Sequence, residues 1–413
     1  MTRSSVIVLG AGMCGVGAAC HLLARGFDVT LVDRGPPGRE TSYGNAGLIQ
    51  RECVEPHAFP RDVRTLLNIA LGRGNEARYH LAALPGLVSP LARYWWNSRP
   101  AAYRRIVRGY EALIRHSLTA HAPLIAAAGA EDLIARTGWT LMAHSAEAFD
   151  AEAEAARRLS RAFGVNSTIL DAAGFAAAEP AIRRPVAGAI HWTDPWFVRD
   201  PGELVARYAR LFQRQGGHIA TGDAATLRRT GAAWSVETEG GRIDAAAAVI
   251  ALGPWSDRLL RRFGYRYPLF IKRGYHRHHQ GASGLRAPVL DLQAGTVLAP
   301  MARGLRLTTG AEFARLGARP TPVQLARVEA RARQLVELGA PVEPVSWLGN
   351  RPCTPDMLPV IGAAPRHAGL WFHFGHAHQG FTLGPATGQL LAELMTGEAP
   401  FTDPAPYAPA RFG

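Results

Sequence analysis

The chain has 413 residues, 47% of them hydrophobic and 19% charged, which is enough apolar material for a large core and too much for a disordered chain. Its length allows two or three domains, and its four cysteines (Cys14, Cys20, Cys53, Cys353) show no CxxC spacing, which excludes a disulfide scaffold and argues against a zinc ribbon. Basic residues exceed acidic ones by 13, and Lys272 is the one lysine among 46 basic residues; this excess suits a nucleic acid, an anionic membrane or an anionic ligand, or reflects a GC-rich coding bias.

The opening MTRSSVIVLGAG has too short an apolar run for a secretory signal. No stretch of about eighteen apolar residues occurs. The expectation is a cytoplasmic protein, with peripheral contact at the inner membrane left open. Val6–Leu9 reads as a buried strand, Val16–Arg25 as a helix closed by Gly26, and Val29–Val32 as a strand ending at Asp33. Together they make one βαβ unit. Gly10, Gly12 and Gly15 fit GxGxxG between the first strand and the helix. Such glycines make the tight turn, the close approach to a pyrophosphate and the helix–strand contact, and the helix N-terminus favours the phosphates. Asp33 lies where a carboxylate accepts the ribose hydroxyls, while its neighbour Arg34 keeps a 2′-phosphate in view. The motif does not separate FAD from NAD.

Thr41–Ile49 reads as a loop. Helical patterns then dominate: Arg61–Leu71, Leu87–Asn97, Ala101–Ala128 and Glu147–Phe163, interrupted by a strand-like Gly138–His144. Gly202–Gln215 is a helix by pattern, and His218–Leu227, Ala233–Thr238 and Ala245–Leu252 are strands. Phe270–Gln280, Val289–Leu292, Thr296–Met301 and Leu305–Gly310 suggest antiparallel strands. A helix at Val323–Leu338, a strand at Trp371–Phe374 and a helix at Ala386–Thr396 follow, and the Pro-rich tail after Gly397 reads as loose. The alternation predicts interleaved domains: 1–52, 197–262 and 346–413 for the cofactor, 53–196 and 263–345 for the substrate.

Four blocks carry a family resemblance. Thr41-Ser42-Tyr43-Gly44-Asn45-Ala46-Gly47 resembles the flavin-facing loop of the D-amino acid oxidase/dehydrogenase superfamily. Ala251 to Ser256 is similar to its AxGxWS strand end, Arg351 to Gly362 to its RPxTPDxxPxIG block, and Gly375 to Thr382 to its last cofactor loop. The blocks keep their order across residues 6–396, and the chain resembles above all the bacterial FAD-dependent D-amino acid dehydrogenases. The resemblance implies an α/β chain, α+β overall: a glutathione-reductase-like FAD-binding Rossmann domain interleaved with an antiparallel-sheet substrate domain. It implies oxidation of an amino acid at Cα–N, with hydride passing to flavin N5, hydrolysis to a 2-oxo acid and ammonia, and electrons passed on to a quinone or respiratory carrier. It assigns FAD contacts to Gly10, Gly12, Gly15, Asp33, Arg34, Ser42, Asn45, Ala46, Gly47, Gly253, Trp255, Gly375, His378, Gly380, Phe381 and Thr382.

Arg351 matches the family arginine that holds the substrate carboxylate. A guanidinium fork fixes a carboxylate in direction as well as charge, and the alternative is a structural pair with Asp356. Tyr275 matches a second carboxylate contact, with a packed core tyrosine as the alternative; strand alternation puts it on one face with Arg273 and sets Gly274 and His276 on the other. Backbone N–H groups of Gly375–Thr382 suit the flavin edge that gains negative charge on reduction. His376 and His378 stand near the ring or are satisfied by backbone. The clusters His276/His278/His279 and His373/His376/His378 invite a metal, but no carboxylate or cysteine completes either set, so none is expected. Schiff-base chemistry would rest on Lys272 alone, and no general base is assigned. His57, Tyr94, Trp95 and Trp96 either shape a side-chain pocket or pack a core. Two other functions compete: an oxidase or dehydrogenase of secondary amino acids (D-proline, hydroxyproline, sarcosine, glycine), and a non-catalytic basic binding protein. The arginines are dispersed, so no nucleic-acid partner is expected.

Overall fold

The βαβ unit forms where the glycines and apolar runs place it. β1 (Ser5–Leu9) leads into α1 (Met13–Ala24), and β2 (Asp28–Asp33) lies parallel to β1. Gly10 has a φ of 106°, and a Cβ there would stand 2.5 Å from the Ala251 carbonyl oxygen. A Cβ on Gly15 would fall 1.7 Å from the Gly10 carbonyl oxygen. Only glycine fits either position. The computed structural model describes residues 4–71, 75, 77–281 and 284–412, the side chains of residues 64, 68 and 70 excepted.

Five parallel strands form the middle of the first sheet, in the order His218–Thr230, β2, β1, Ala247–Ile250, Leu370–Phe374. Antiparallel strands extend both edges. β1 and Ala247–Ile250 are nearly continuous in Val, Ile, Leu and Ala, as strands covered on both faces are. The second sheet has ten strands among the described residues. Two of them position the site: β3 (Phe270–His279) and β4 (Trp347–Cys353), antiparallel, with Lys272 opposite Arg351, Gly274 opposite Gly349 and His276 opposite Trp347. A helix, α2 (Leu84–Asn97), borders the same region through Leu87 and Tyr94, and α3 (Gly380–Thr396) packs along α1. Among the described residues, no helix is long and apolar enough to cross a membrane.

Four differences from the sequence reading have physical causes. The long helix expected over Ala101–Ala128 is two, Pro100–Ile114 and Ser117–Ala128, because His116 N bonds the Leu113 carbonyl in a tighter three-residue step. The last helix starts at Gly380, ahead of Ala386. Pro385 offers no N–H to the Phe381 carbonyl, and His121 Nε2 meets that carbonyl instead at 3.1 Å. β4 was not read as a strand, since Gly349, Asn350 and Pro352 all depress that reading. The Pro-rich tail is docked: Tyr407 is buried and its hydroxyl donates to the Gly109 carbonyl at 2.6 Å, while Arg411 binds Asp356 at 2.9 Å.

Candidate active site

One cavity of about 1380 Å³ is lined by residues of both sheets. It exceeds the ~300–1,000 Å³ of an ordinary small-ligand pocket, as a long dinucleotide with a substrate beside it requires. Two helix N-termini open on it. α1 begins after Gly12 with no side-chain cap and no acidic residue in its first turn; the Met13 N–H donates to Ser42 Oγ at 3.0 Å. α3 begins after Gln379, likewise uncapped and without an acid. Gly12, Met13, Cys14, Gln379 and Gly380 all line the cavity. Free N–H groups and partial positive charge at both starts suit anionic groups. Asp33 is fixed by accepting from Ala11 N at 2.6 Å and Gly35 N at 3.2 Å, and it too borders the cavity. The donors and the carboxylate present therefore fit FAD.

Most of the residues expected at the cofactor line this cavity: Gly10, Gly12, Asp33, Arg34, Ser42, Asn45, Ala46, Gly253, Trp255, His378, Gly380 and Phe381. Arg34 stacks over Trp255 at 4.4 Å and pairs with Glu40. Asn45 Oδ1 accepts from Gly47 N at 2.8 Å and Leu48 N at 3.1 Å, which shapes the loop. Four others stand behind the wall. Gly15 packs on Gly10, Gly47 on Val198 and Phe197, and Gly375 on Thr354, while Thr382 Oγ1 bonds the Leu48 carbonyl at 3.2 Å. Their work is to hold the lining residues in place.

At the far end stands Arg351. Its guanidinium lies over Gly274, where a Cβ would come within 2.5 Å of Nη1. Among the described residues no carboxylate pairs with it, and Asp356 is taken by Arg411. Lys272 stands directly opposite on β3, 5% exposed, with Nζ 3.3 Å from Tyr94 Oη. His57 and His378 complete this end, with ring centroids 4.9 Å apart. Burial, then Lys272 and Arg351, pulls His57 down to about 4. Burial, His57 and the same two cations hold His378 well below the ordinary histidine range. Both shifts favour the neutral ring.

Tyr275 is not brought together with Arg351. It sits on the opposite face of β3, with Arg273, and its hydroxyl donates to Glu312 Oε2 at 2.7 Å and accepts from Thr321 N at 2.7 Å. Glu312 also meets Arg273 Nη2 at 2.6 Å and His80 Nε2 at 3.0 Å. This buried network braces the strand that carries the site. Among the histidine clusters, His276 stacks on Trp347 at 4.7 Å, His278 bonds Glu343 at 2.7 Å, and His373 and His376 both bond Thr387 Oγ1. Among the described residues, no group of three His, Cys, Asp or Glu is placed to hold a metal ion. His57 and Tyr94 line the cavity, whereas Trp95 and Trp96 are exposed on α2 beneath Arg61 and Arg99.

Three lining residues that the sequence does not assign to the site bear on its chemistry. Lys272 was weighed only for a Schiff base, and Gly274 shows its use only once β4 is laid beside β3. Glu52 is buried, its Oε1 accepting from Trp139 Nε1 at 2.9 Å and Gln50 Nε2 at 2.6 Å, its Oε2 without a partner. Burial raises it to about 7. No motif surrounds it, so nothing in the sequence marked it.

Comparison with known proteins agrees with this geometry. Residues 5–394 match the family model described as FAD dependent oxidoreductase. A D-amino-acid oxidase of Bradyrhizobium diazoefficiens is 32% identical, covering 98% of each chain. A D-amino acid dehydrogenase of Cereibacter sphaeroides is 31% identical over 98% of this chain and 95% of its own. Among solved structures, glycine oxidase from Geobacillus kaustophilus superposes with a TM-score of 0.73 at 22% identity, covering 99% of this chain and 98% of its own.

Proposed function

The chain belongs to the family of FAD dependent oxidoreductases, and from that premise we propose that it oxidises the Cα–N bond of an amino acid, a D-amino acid first among them, to a 2-oxo acid and ammonia. FAD, when bound, supplies the two-electron acceptor for the hydride leaving Cα. The observation that carries the reading is Arg351: a half-buried guanidinium in the cofactor cavity, without a carboxylate partner among the described residues and with Gly274 clearing the space it occupies. A cation partly withdrawn from water is costly unless a ligand brings the opposite charge.

The protein's own residues then have distinct tasks. Asp33 holds the ribose end of the cofactor, the α1 start the pyrophosphate, and the α3 start with His378 and Gly380 the flavin edge. Arg351 binds the substrate carboxylate and so aims Cα, and orientation of this kind supplies much of the rate. His57, Tyr94 and Phe59 wall the pocket and keep water from the reacting bond. Tyr275, through Glu312 and Thr321, sets the height of β3 under Arg351. The substrate amine loses one proton before oxidation.

The electron acceptor is a membrane-borne quinone or similar carrier. Its support is an apolar row on the helix Val63–Ala70 and its C-cap: Val63, Leu67 and Leu71 are 71%, 55% and 59% exposed, while Leu66 and Ile69 line the cavity. Leu81, Val88, Trp95 and Trp96 are exposed as well, and Arg61 and Arg99 stack on the two tryptophans. Such a surface suits a lipid interface.

The test is anaerobic addition of D- and L-amino acids, sarcosine and D-proline to the purified flavoprotein. D-amino acids should bleach the flavin, and in Arg351→Ala the rate constant kcat/KM should fall by about 2–5 kcal/mol of lost carboxylate binding. The reading is wrong if no amino or imino acid bleaches it.

A further inference from the structure

Resting on that reading, we propose that Lys272 builds a second anion pocket, and that the preferred substrate is an α-amino acid with a second carboxylate on its side chain. The inference starts from charge and direction. Lys272 and Arg351 are directly opposed on an antiparallel pair, an arrangement in which like charges repel. Among the described residues, neither is paired with a carboxylate that offsets its charge. The two flanking histidines do not help, because His57 and His378 are neutral beside them.

The two heads also diverge. The Arg351 guanidinium lies over Gly274, whereas the Lys272 ammonium turns toward Phe270, two residues the other way on the same face. Residues i and i+2 on one face of a strand are about 7 Å apart. Diverging heads suit the two acid groups of an aspartate- or glutamate-sized molecule better than a single carboxylate. Nζ stands 4.6 Å from the Tyr94 ring centre, 5.7 Å from Phe270 and 5.9 Å from Phe313. Tyr94 Oη donates to the His57 carbonyl, so it accepts from Lys272 and uses one of three ammonium donors. The other two donors are left for the cavity that Lys272 lines. The aromatic faces steady the cation without cancelling it.

The experiment has two arms on the flavin-loaded protein. In the first, flavin reduction by D-aspartate and D-glutamate is compared with D-alanine, D-methionine and D-norleucine. The acidic substrates should react with at least tenfold higher kcat/KM. Lys272→Met should lower them at least thirtyfold while D-methionine and D-norleucine change less than threefold, and Lys272→Arg should restore most of the loss. Neutral substrates leading in the wild type, or Lys272→Met lowering both classes equally, overturns the proposal and leaves the amino-acid reading standing. In the second arm, glutarate and butyrate are titrated against the flavin spectrum. Glutarate should bind at least tenfold more tightly than butyrate, and the difference should vanish in Lys272→Met. If no amino acid reduces the flavin, the proposed reaction falls, and this arm alone decides the two-cation pocket: an equal affinity for glutarate and butyrate overturns it.

Discussion

Gly274→Ala tests the position of Arg351 without touching its charge. An alanine Cβ at 274 would lie 2.5 Å from Nη1, 2.9 Å from Nη2 and 3.1 Å from Cζ of Arg351. Ordinary contact needs about 3.5 Å, so the guanidinium must retreat by roughly 1 Å. The backbone tolerates the change, because Gly274 lies mid-strand and is not among the positive-φ glycines. The obstacle is the far end of a flexible side chain, so the fold should survive. A misplacement of about 1 Å at a substrate-orienting group costs around a hundredfold, or about 2.7 kcal/mol in the barrier. Anaerobic stopped-flow flavin reduction gives the number, with flavin content and melting temperature as controls. A kcat/KM within twofold of wild type, with flavin retained, would refute the placement of the carboxylate on Arg351.

Three further outcomes follow from the same structure. Asp33→Ala should lose FAD on extensive dialysis, since it removes both the ribose acceptor and the anchor for Ala11 N; full occupancy afterwards would count against that role. Glu312→Ala strands Arg273, which is 1% exposed, and should cost about 3–5 kcal/mol in a urea-unfolding experiment; a loss under 1 kcal/mol would mean that Arg273 finds another partner. For Glu52 the sign is set by burial: its carboxyl rises from 4.5 to about 7, so its contribution is fully present below pH 4.5 and fades as pH climbs to 7. That fade is on the order of 3 kcal/mol, and Glu52→Gln should flatten it in unfolding curves taken across that range; a slope unchanged from wild type would show that Glu52 does not titrate there.

How much was legible in the sequence depended on whether a signal was local. The GxGxxG loop and Asp33 are local, so strand, turn, helix and acid could be read directly. The motif singles out Arg351, but its surroundings were not legible. They depend on β4 lying beside β3, a pairing of residues some 80 positions apart in a strand that glycine, asparagine and proline disguise. Tyr275 illustrates the same limit. Alternation correctly put it with Arg273, but the partner that holds its hydroxyl, Glu312, lies 37 residues further on. The tail and the start of α3 were misread because composition hides long-range partners. Prolines in both segments signal breaks, while Gly109 and His121, far away in sequence, supply the bonds that keep them ordered.

The charge excess itself divides into two populations once partners are counted. Exposed arginines such as Arg158, Arg161 and Arg228 sit on surface carboxylates, where each pair contributes little. Buried cations are different, because each must be offset where it stands. Arg273 is met by Glu312, and Arg306 by the Tyr43 and Asn45 carbonyls and by His278. Among the described residues, Arg351 and Lys272 are met by neither a carboxylate nor a set of carbonyls. Their compensation has to arrive with a ligand, and on that ground we propose the two as a binding site, whereas Arg273 and Arg306 serve structure. The choice of a lysine at 272, in a chain that otherwise uses arginine, fits the same logic. A compact ammonium stands among Tyr94, Phe270 and Phe313 and still points donors into the cavity.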